Sequence, residues 1–239
     1  MESIFVSENS AAGQGRTQVG SMMVEEDLGP RFVKRWIGHT AEGVREQRDF
    51  LTQLDAAIGD ADHGVNMDRG LAAAMAKLDE VGEAIPGQLL EAVGSTLVLS
   101  VGGAAGPLYG SAFRQMGRAL GDAGTFDAEG LLAGLRAALE EIHRLGAATV
   151  GDKTIVDAFS PANDAFARGL RSGEAREAAG ARARAAAEEG MRSTIPMQAR
   201  KGRASYLGAR SIGHQDPGAT STAIVFAALH RALSDGVVG

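Results

Sequence analysis

From about residue 30 to residue 233 the apolar residues return at intervals of three and four, and no sustained alternation of period two replaces them. Side chains so spaced share one face of a helix, whereas a half-buried strand needs strict alternation. The spacing predicts an all-α chain. One helix is predicted over 31–54, with Phe32, Val33, Trp36, Ile37, Val44, Leu51 and Leu54 on its stripe. A second begins near Asn66 and carries Met67, Leu71, Met75 and Leu78. A third starts at Pro86, because proline's fixed φ and missing N–H suit a first turn; it ends at Gly102-Gly103. A fourth follows Pro107. A fifth opens on Asp127 as N-cap, with Phe126 and Leu131 at the spacing of a hydrophobic staple. Two more are predicted over 154–171 and 174–192, the latter rich in the good helix formers Ala, Arg and Glu. The last has Asp216 as N-cap and Pro217 at its first position, and runs to Leu233. This gives eight helices in one domain spanning residues 26–239, with no internal repeat. Residues 1–25 are polar and Gly- and Ser-rich, with Ile4-Phe5-Val6 as a short apolar run, and are expected to form a flexible tail.

Composition removes several classes of function. The 239 residues contain no cysteine, which excludes disulfides, thiolate zinc sites and cysteine nucleophiles. The formal charge is -6, and the basic residues near 182–203 are interrupted by Glu188 and Glu189. A nucleic-acid surface is not expected from that balance. No apolar run approaches the roughly 20 residues that span a bilayer, and the N-terminus lacks the basic-then-apolar pattern of a secretion signal. A cytoplasmic protein without a membrane partner is expected.

Three connections are too polar or too glycine-rich to serve chain reversal alone. Between the first two helices lie Asp55, Asp60 and Asp62, followed by His63, Gly64, Val65 and Asn66. Two carboxylates 4 Å apart repel by roughly 4 kcal/mol at an effective dielectric of 20, and a divalent cation removes that repulsion. All-oxygen ligands favour magnesium, calcium or manganese over zinc. The competing reading is that Asp60 and Asp62 cap the next helix or make turns. The second connection, Gly102 to Gly110, nearly lacks side chains and would let backbone N–H groups approach a phosphate at a helix start; tight helix packing is the alternative. The third runs from Arg200 through Gly213-His214-Gln215 to Ala219 without a strong helical pattern. Arg203 in it could stabilise charge on a transferring phosphoryl group. The run Gly146 to Thr154 is not a P-loop, because Asp152 separates the second glycine from Lys153.

Taken together, the runs Ile58 to Met67, Gly103 to Gly110, Gly151 to Thr154 and Gly202 to Gly208, with Asp216 to Thr220, resemble the L subunit of dihydroxyacetone kinase over about residues 30–235. The resemblance implies a barrel of eight antiparallel helices with a nucleotide site at one end. It implies that Asp55, Asp60 and Asp62 hold two magnesium ions bridging the phosphates of ADP or ATP. His63, Gly64, Val65 and Asn66 would lie beside the nucleotide, and Ala104 and Ala105 would approach the phosphates by backbone. Gly146 and Ile155 would border base or ribose, while Arg203, Asp216, Pro217 and Gly218 would complete the site. The family has glycine where this chain has Ala61, and serine where it has Ala105. Substrate would be held covalently by a separate, dihydroxyacetone-binding K subunit. ADP would be recharged by a phosphohistidine protein of the sugar phosphotransferase system, or ATP would exchange as a substrate. Another short ketose such as erythrulose, or a non-catalytic ADP-sensing adaptor, remains as an alternative. Association into a homodimer through an exposed helix face is left open.

Overall fold

In a computed structural model, residues 27–235 are described. The predicted tail, including Ile4-Phe5-Val6, and the last four residues lie outside them. Nine α-helices and one 3-10 helix are present among the described residues. They are α1 (Pro30–Glu46), α2 (Arg48–Ile58), α3 (His63–Val81), α4 (Pro86–Ser100), α5 (Ala105–Leu120), α6 (Ala128–Gly146), α7 (Val156–Arg171), α8 (Arg176–Ser193) and α9 (Pro217–Ser234). The 3-10 helix is Arg203–Ser211, in the connection expected to lack helix. No strand forms among these residues; the one extended contact is an isolated bridge between Leu28 and Phe126.

The predicted helix over 31–54 is two helices. It breaks at Gln47, whose φ of -103° and ψ of 12° leave the helical range. Arg45 to Phe50 are all exposed, so no buried anchor lies between Val44 and Leu51. A straight helix would have placed a buried residue within that gap. The break turns α2 so that its last turn, with Asp55, meets the start of α3.

Successive helices from α3 to α9 pack against one another, α9 packs on α1, and α1 packs on α3. Eight helices thus close a ring, and α2 lies against α3 and α9 outside it. The core is aliphatic with two aromatic groups. Phe32, Trp36, Phe113 and Phe126 meet tilted or edge to face with centroids 5.6–6.2 Å apart, and Phe159 meets Phe226 edge to face at 5.0 Å. Trp36 is 1% exposed and donates its indole N–H to the Val225 carbonyl at 3.1 Å, tying α1 to α9. The start of α6 follows the sequence reading. Asp127 accepts from the Gly130 N–H at 2.8 Å, and the staple residues Phe126 and Leu131 are both buried.

Candidate active site

Asp62, Ala104, Ile155 and Asp216 immediately precede α3, α5, α7 and α9, and all four line one cavity of about 280 Å³. Ile58 from the last turn of α2 and Ile142 and Gly146 from the end of α6 line it too. Helices therefore start and finish alternately at this end of the ring. Each helix start carries a partial positive charge and unpaired N–H groups. Four such starts around one cavity favour a polyanion there. Gly103, with φ +65° and no atom within 4 Å of where a Cβ would stand, leaves the approach to the α5 start open.

One carboxylate oxygen from each of Asp55, Asp60 and Asp62 lies within 4.8 Å of the others. The capping half of the competing reading does not hold for the Asp62 side chain. It occupies the N-cap position of α3, yet its side chain makes no cap hydrogen bond. Asp55 does that work from α2: its Oδ2 accepts from the Asp62 N–H at 2.9 Å and the His63 N–H at 3.2 Å. Among the described residues Asp60 is paired with Arg203, whose Nη2 stands 3.0 Å from its Oδ2. Three carboxylates against one guanidinium leave a net negative cluster facing the positive helix ends, and this donor set fits a hard divalent cation.

Below the carboxylates, His63 Nε2 meets Ser221 Oγ at 2.9 Å, and Ser221 and Thr222 contact the buried Tyr109 hydroxyl at 2.8 and 2.9 Å. Burial pushes the His63 imidazole below its ordinary range, against the pull of Asp55 and Asp62. Burial likewise pushes the Tyr109 phenol up, so it remains a neutral hydrogen-bonding floor.

Of the residues singled out from sequence, Asp55, Asp60, Asp62, His63, Ala104, Ala105, Gly146, Ile155, Arg203, Asp216, Pro217 and Gly218 all line the cavity. Gly64, Val65 and Asn66 are not among its walls. A Cβ on Gly64 would stand 2.0 Å from the Arg48 carbonyl oxygen, so Gly64 lets α3 lie on α2. Val65 points outward and is half exposed, and Asn66 is buried with its Oδ1 bonded to Arg69. Sequence reasoning gave no role to Lys153, which also lines the cavity and is 1% exposed. Its only signal was a lysine set among Gly151, Asp152 and Thr154 in a connection between helices.

Two local features give measurable expectations. Ala61 adopts a φ of 63°, the left-handed region that costs a side-chain-bearing residue roughly 1–2 kcal/mol. Ala61→Gly relieves that strain but adds freedom to the unfolded chain, so a net stabilisation of about 0.5–1 kcal/mol is expected in urea unfolding. Asp216 is buried, which pushes its carboxyl from its ordinary value near 4 up to about 7. Between those two pH values the unfolded chain has released this proton and the folded chain has not. Stability should therefore fall as pH rises from about 4 to 7, by up to about 1.4 kcal/mol per unit. Asp216→Asn keeps a capping side chain for the Ala219 N–H and should flatten that slope in thermal unfolding of the ligand-free chain.

The DAK2 domain matches residues 57–231, well over half of the chain and seven of the eight ring helices, all but α1. The chain belongs to the DAK2-domain family. Within it, the chain is 42% identical over 195 residues to the ADP-binding subunit DhaL of a PEP-dependent dihydroxyacetone kinase of Listeria innocua, covering 82% of this chain and 92% of that subunit. It is 38% identical to the corresponding Escherichia coli subunit, covering 85% and 97%. A D-erythrulose kinase of Mycolicibacterium smegmatis is 36% identical, but the match covers only 34% of that longer protein. In structure, the dihydroxyacetone kinase of C. freundii crystallised with AMP-PNP and Mg2+ superposes with a TM-score of 0.64 at 22% identity, over 97% of this chain and 38% of that one. The DAK2-domain fold thus occurs both as a subunit of this size and as part of longer chains. No helix among the described residues is long and apolar enough to cross a membrane.

Proposed function

We propose that this chain is the ADP-binding, phosphoryl-transferring subunit of a multi-subunit dihydroxyacetone kinase. The observation that carries the reading is the three-carboxylate cluster at the mouth of a cavity ringed by four helix starts. The relatives favour the dihydroxyacetone reading: the chain is 42% and 38% identical to the two DhaL subunits and covers over nine-tenths of each, against 36% identity to the D-erythrulose kinase. An ADP-sensing adaptor would not need Arg203 beside the carboxylates.

Asp55, Asp60 and Asp62 would hold two magnesium ions, which when bound neutralise the phosphate oxygens. The open start of α5 would present N–H groups to the phosphates, with Ala104 and Ala105 allowing close backbone approach. The dipoles of α3, α7 and α9 would add positive potential; the first N–H groups of α3 and α9 are already held by Asp55 and Asp216. Ile142, Gly146, Ala148 and Ile155 form the apolar part of the cavity wall, suited to the base. Arg203 sets its guanidinium against charge that develops on the transferring group, an electrostatic contribution made without covalent chemistry. The acceptor would be held by the K subunit, which would also supply the base for its hydroxyl. Exposed apolar side chains near the cavity end support docking of that subunit: Leu99 is 86% and Tyr206 88% exposed, with Val65, Leu145, Val150 and Ile212 partly exposed as well. The phosphoryl donor would be a phosphohistidine protein of the phosphotransferase system that recharges resident ADP.

The test is reconstitution with a K subunit and dihydroxyacetone. Phosphorylated dihydroxyacetone should appear with phosphoenolpyruvate and the phosphotransferase proteins, and should not appear if any component is left out. Turnover on ATP alone at the same rate would favour the ATP-substrate version. No transfer from either donor would overturn the kinase reading.

A further inference from the structure

The segment between α8 and α9, residues 194–216, carries Arg203, and its base is gathered on one side chain. The Lys153 ammonium donates to the carbonyls of Thr194 at 2.7 Å, of Met197 at 3.2 Å and of His214. An ammonium has three N–H donors, and all three are used on backbone of this one segment. Both ends of the segment are held: Thr194 and Met197 leave α8, and His214 leads into α9. Neighbouring bonds complete the mooring. The Arg200 N–H donates to the Asp152 carbonyl at 3.1 Å, the Gly213 N–H to the Ile195 carbonyl at 2.8 Å, and the Ala199 N–H to Ser211 Oγ at 2.9 Å.

Lys153 is itself fixed by the turn it sits in. Its φ is 63°, an uncommon conformation for a residue with a side chain. The Asp157 carboxylate holds that turn, accepting from the Gly151 N–H at 2.6 Å and the Thr154 N–H at 2.7 Å. Asp157 is 2% exposed at the start of α7, so the turn is tied to the ring and not to the loop. A line of contacts therefore runs from α7 through Asp157, the 151–154 turn and Lys153 to the segment that sets Arg203 beside Asp60. Polar contacts of Arg203 itself do not explain its placement, since its side chain is 65% exposed and its one ion pair is with Asp60.

We infer that Lys153 is a positioning residue: its ammonium clamps the 194–216 segment and so aims Arg203 at the transferring phosphoryl group. The clamp stands on the geometry alone. Its effect on turnover rests on the phosphoryl-transfer reading above. Because Arg203 would act on charge that develops during transfer, loosening the clamp lowers kcat and leaves nucleotide binding nearly intact.

The test uses the full chain, its K subunit, and three variants: Lys153→Met, Arg203→Gln and the double variant. Hydrogen exchange of residues 195–215 should speed up at least about tenfold in Lys153→Met, with α3 to α6 unchanged and Arg203→Gln like wild type in this segment. In the coupled assay Lys153→Met should lower kcat about 100-fold, of the order seen for loss of one charge-stabilising group, with ADP affinity in magnesium within about threefold. The double variant should turn over no more slowly than Arg203→Gln. Unchanged exchange in Lys153→Met would overturn the clamp. Faster exchange with undiminished kcat, or losses that multiply in the double variant, would overturn its action through Arg203. An inactive wild-type complex would mark failure of the phosphoryl-transfer reading, and exchange would still decide the clamp. If Lys153→Met does not fold, Lys153→Gln, which keeps two donors, serves for the same readouts.

Discussion

Asp60→Ala should abolish phosphoryl transfer, by at least about a thousandfold, while the chain stays folded. Asp60 lies outside every helix, between Gly59 and Ala61, and among the described residues its carboxylate pairs with a largely exposed Arg203. A pair that open to water is worth roughly 0–1 kcal/mol, so unfolding in urea should shift by less than about 1 kcal/mol. The same carboxylate is one of three within 4.8 Å, and its removal takes away both a proposed magnesium ligand and the group facing Arg203. Helix content by circular dichroism and transfer in the reconstituted system would be measured on one preparation. A folded Asp60→Ala chain with full activity would remove the basis of the metal assignment.

Gly64→Ala should lower stability by about 2–3 kcal/mol, within the range for forcing atoms into a packed contact. The added Cβ would stand 2.0 Å from the Arg48 carbonyl oxygen and 2.6 Å from Thr52 Oγ1, so α3 must move off α2. That movement separates Asp55 from the Asp62 and His63 N–H groups it caps. ADP affinity in magnesium should therefore fall along with stability. Equilibrium unfolding and calorimetric titration of the same variant check both. A stable Gly64→Ala chain with weakened ADP binding would mean instead that Gly64 faces the nucleotide directly.

Much of this was legible in the sequence, for physical reasons that differ by residue. Helical periodicity is dictated by which face each helix buries, so the stripes of α3 and α4 could be read directly, while α5 was placed by Pro107 and α8 by its content of helix formers. Asp127 with Phe126 and Leu131, and Asp216 with Pro217, marked helix starts because capping is local chemistry. The break at Gln47 was missed because it carries neither glycine nor proline; its trace was the absence of a core residue between Val44 and Leu51. The carboxylate cluster could be suspected from composition, but the division of labour within it could not. Asp55 caps α3 from seven and eight residues away, a contact that exists only once α2 turns back. Lys153 was invisible for the same reason: its partners lie 41 to 61 residues further along the chain.

The proposed site takes ADP through a divalent cation held by Asp55, Asp60 and Asp62. Calorimetric titration of nucleotide-stripped protein with ADP, in magnesium and again in a chelator, tests it most directly. One ADP per chain is expected in magnesium, with an affinity at least about a hundredfold weaker without it. Equal affinity in both conditions, or no binding in either, would contradict it.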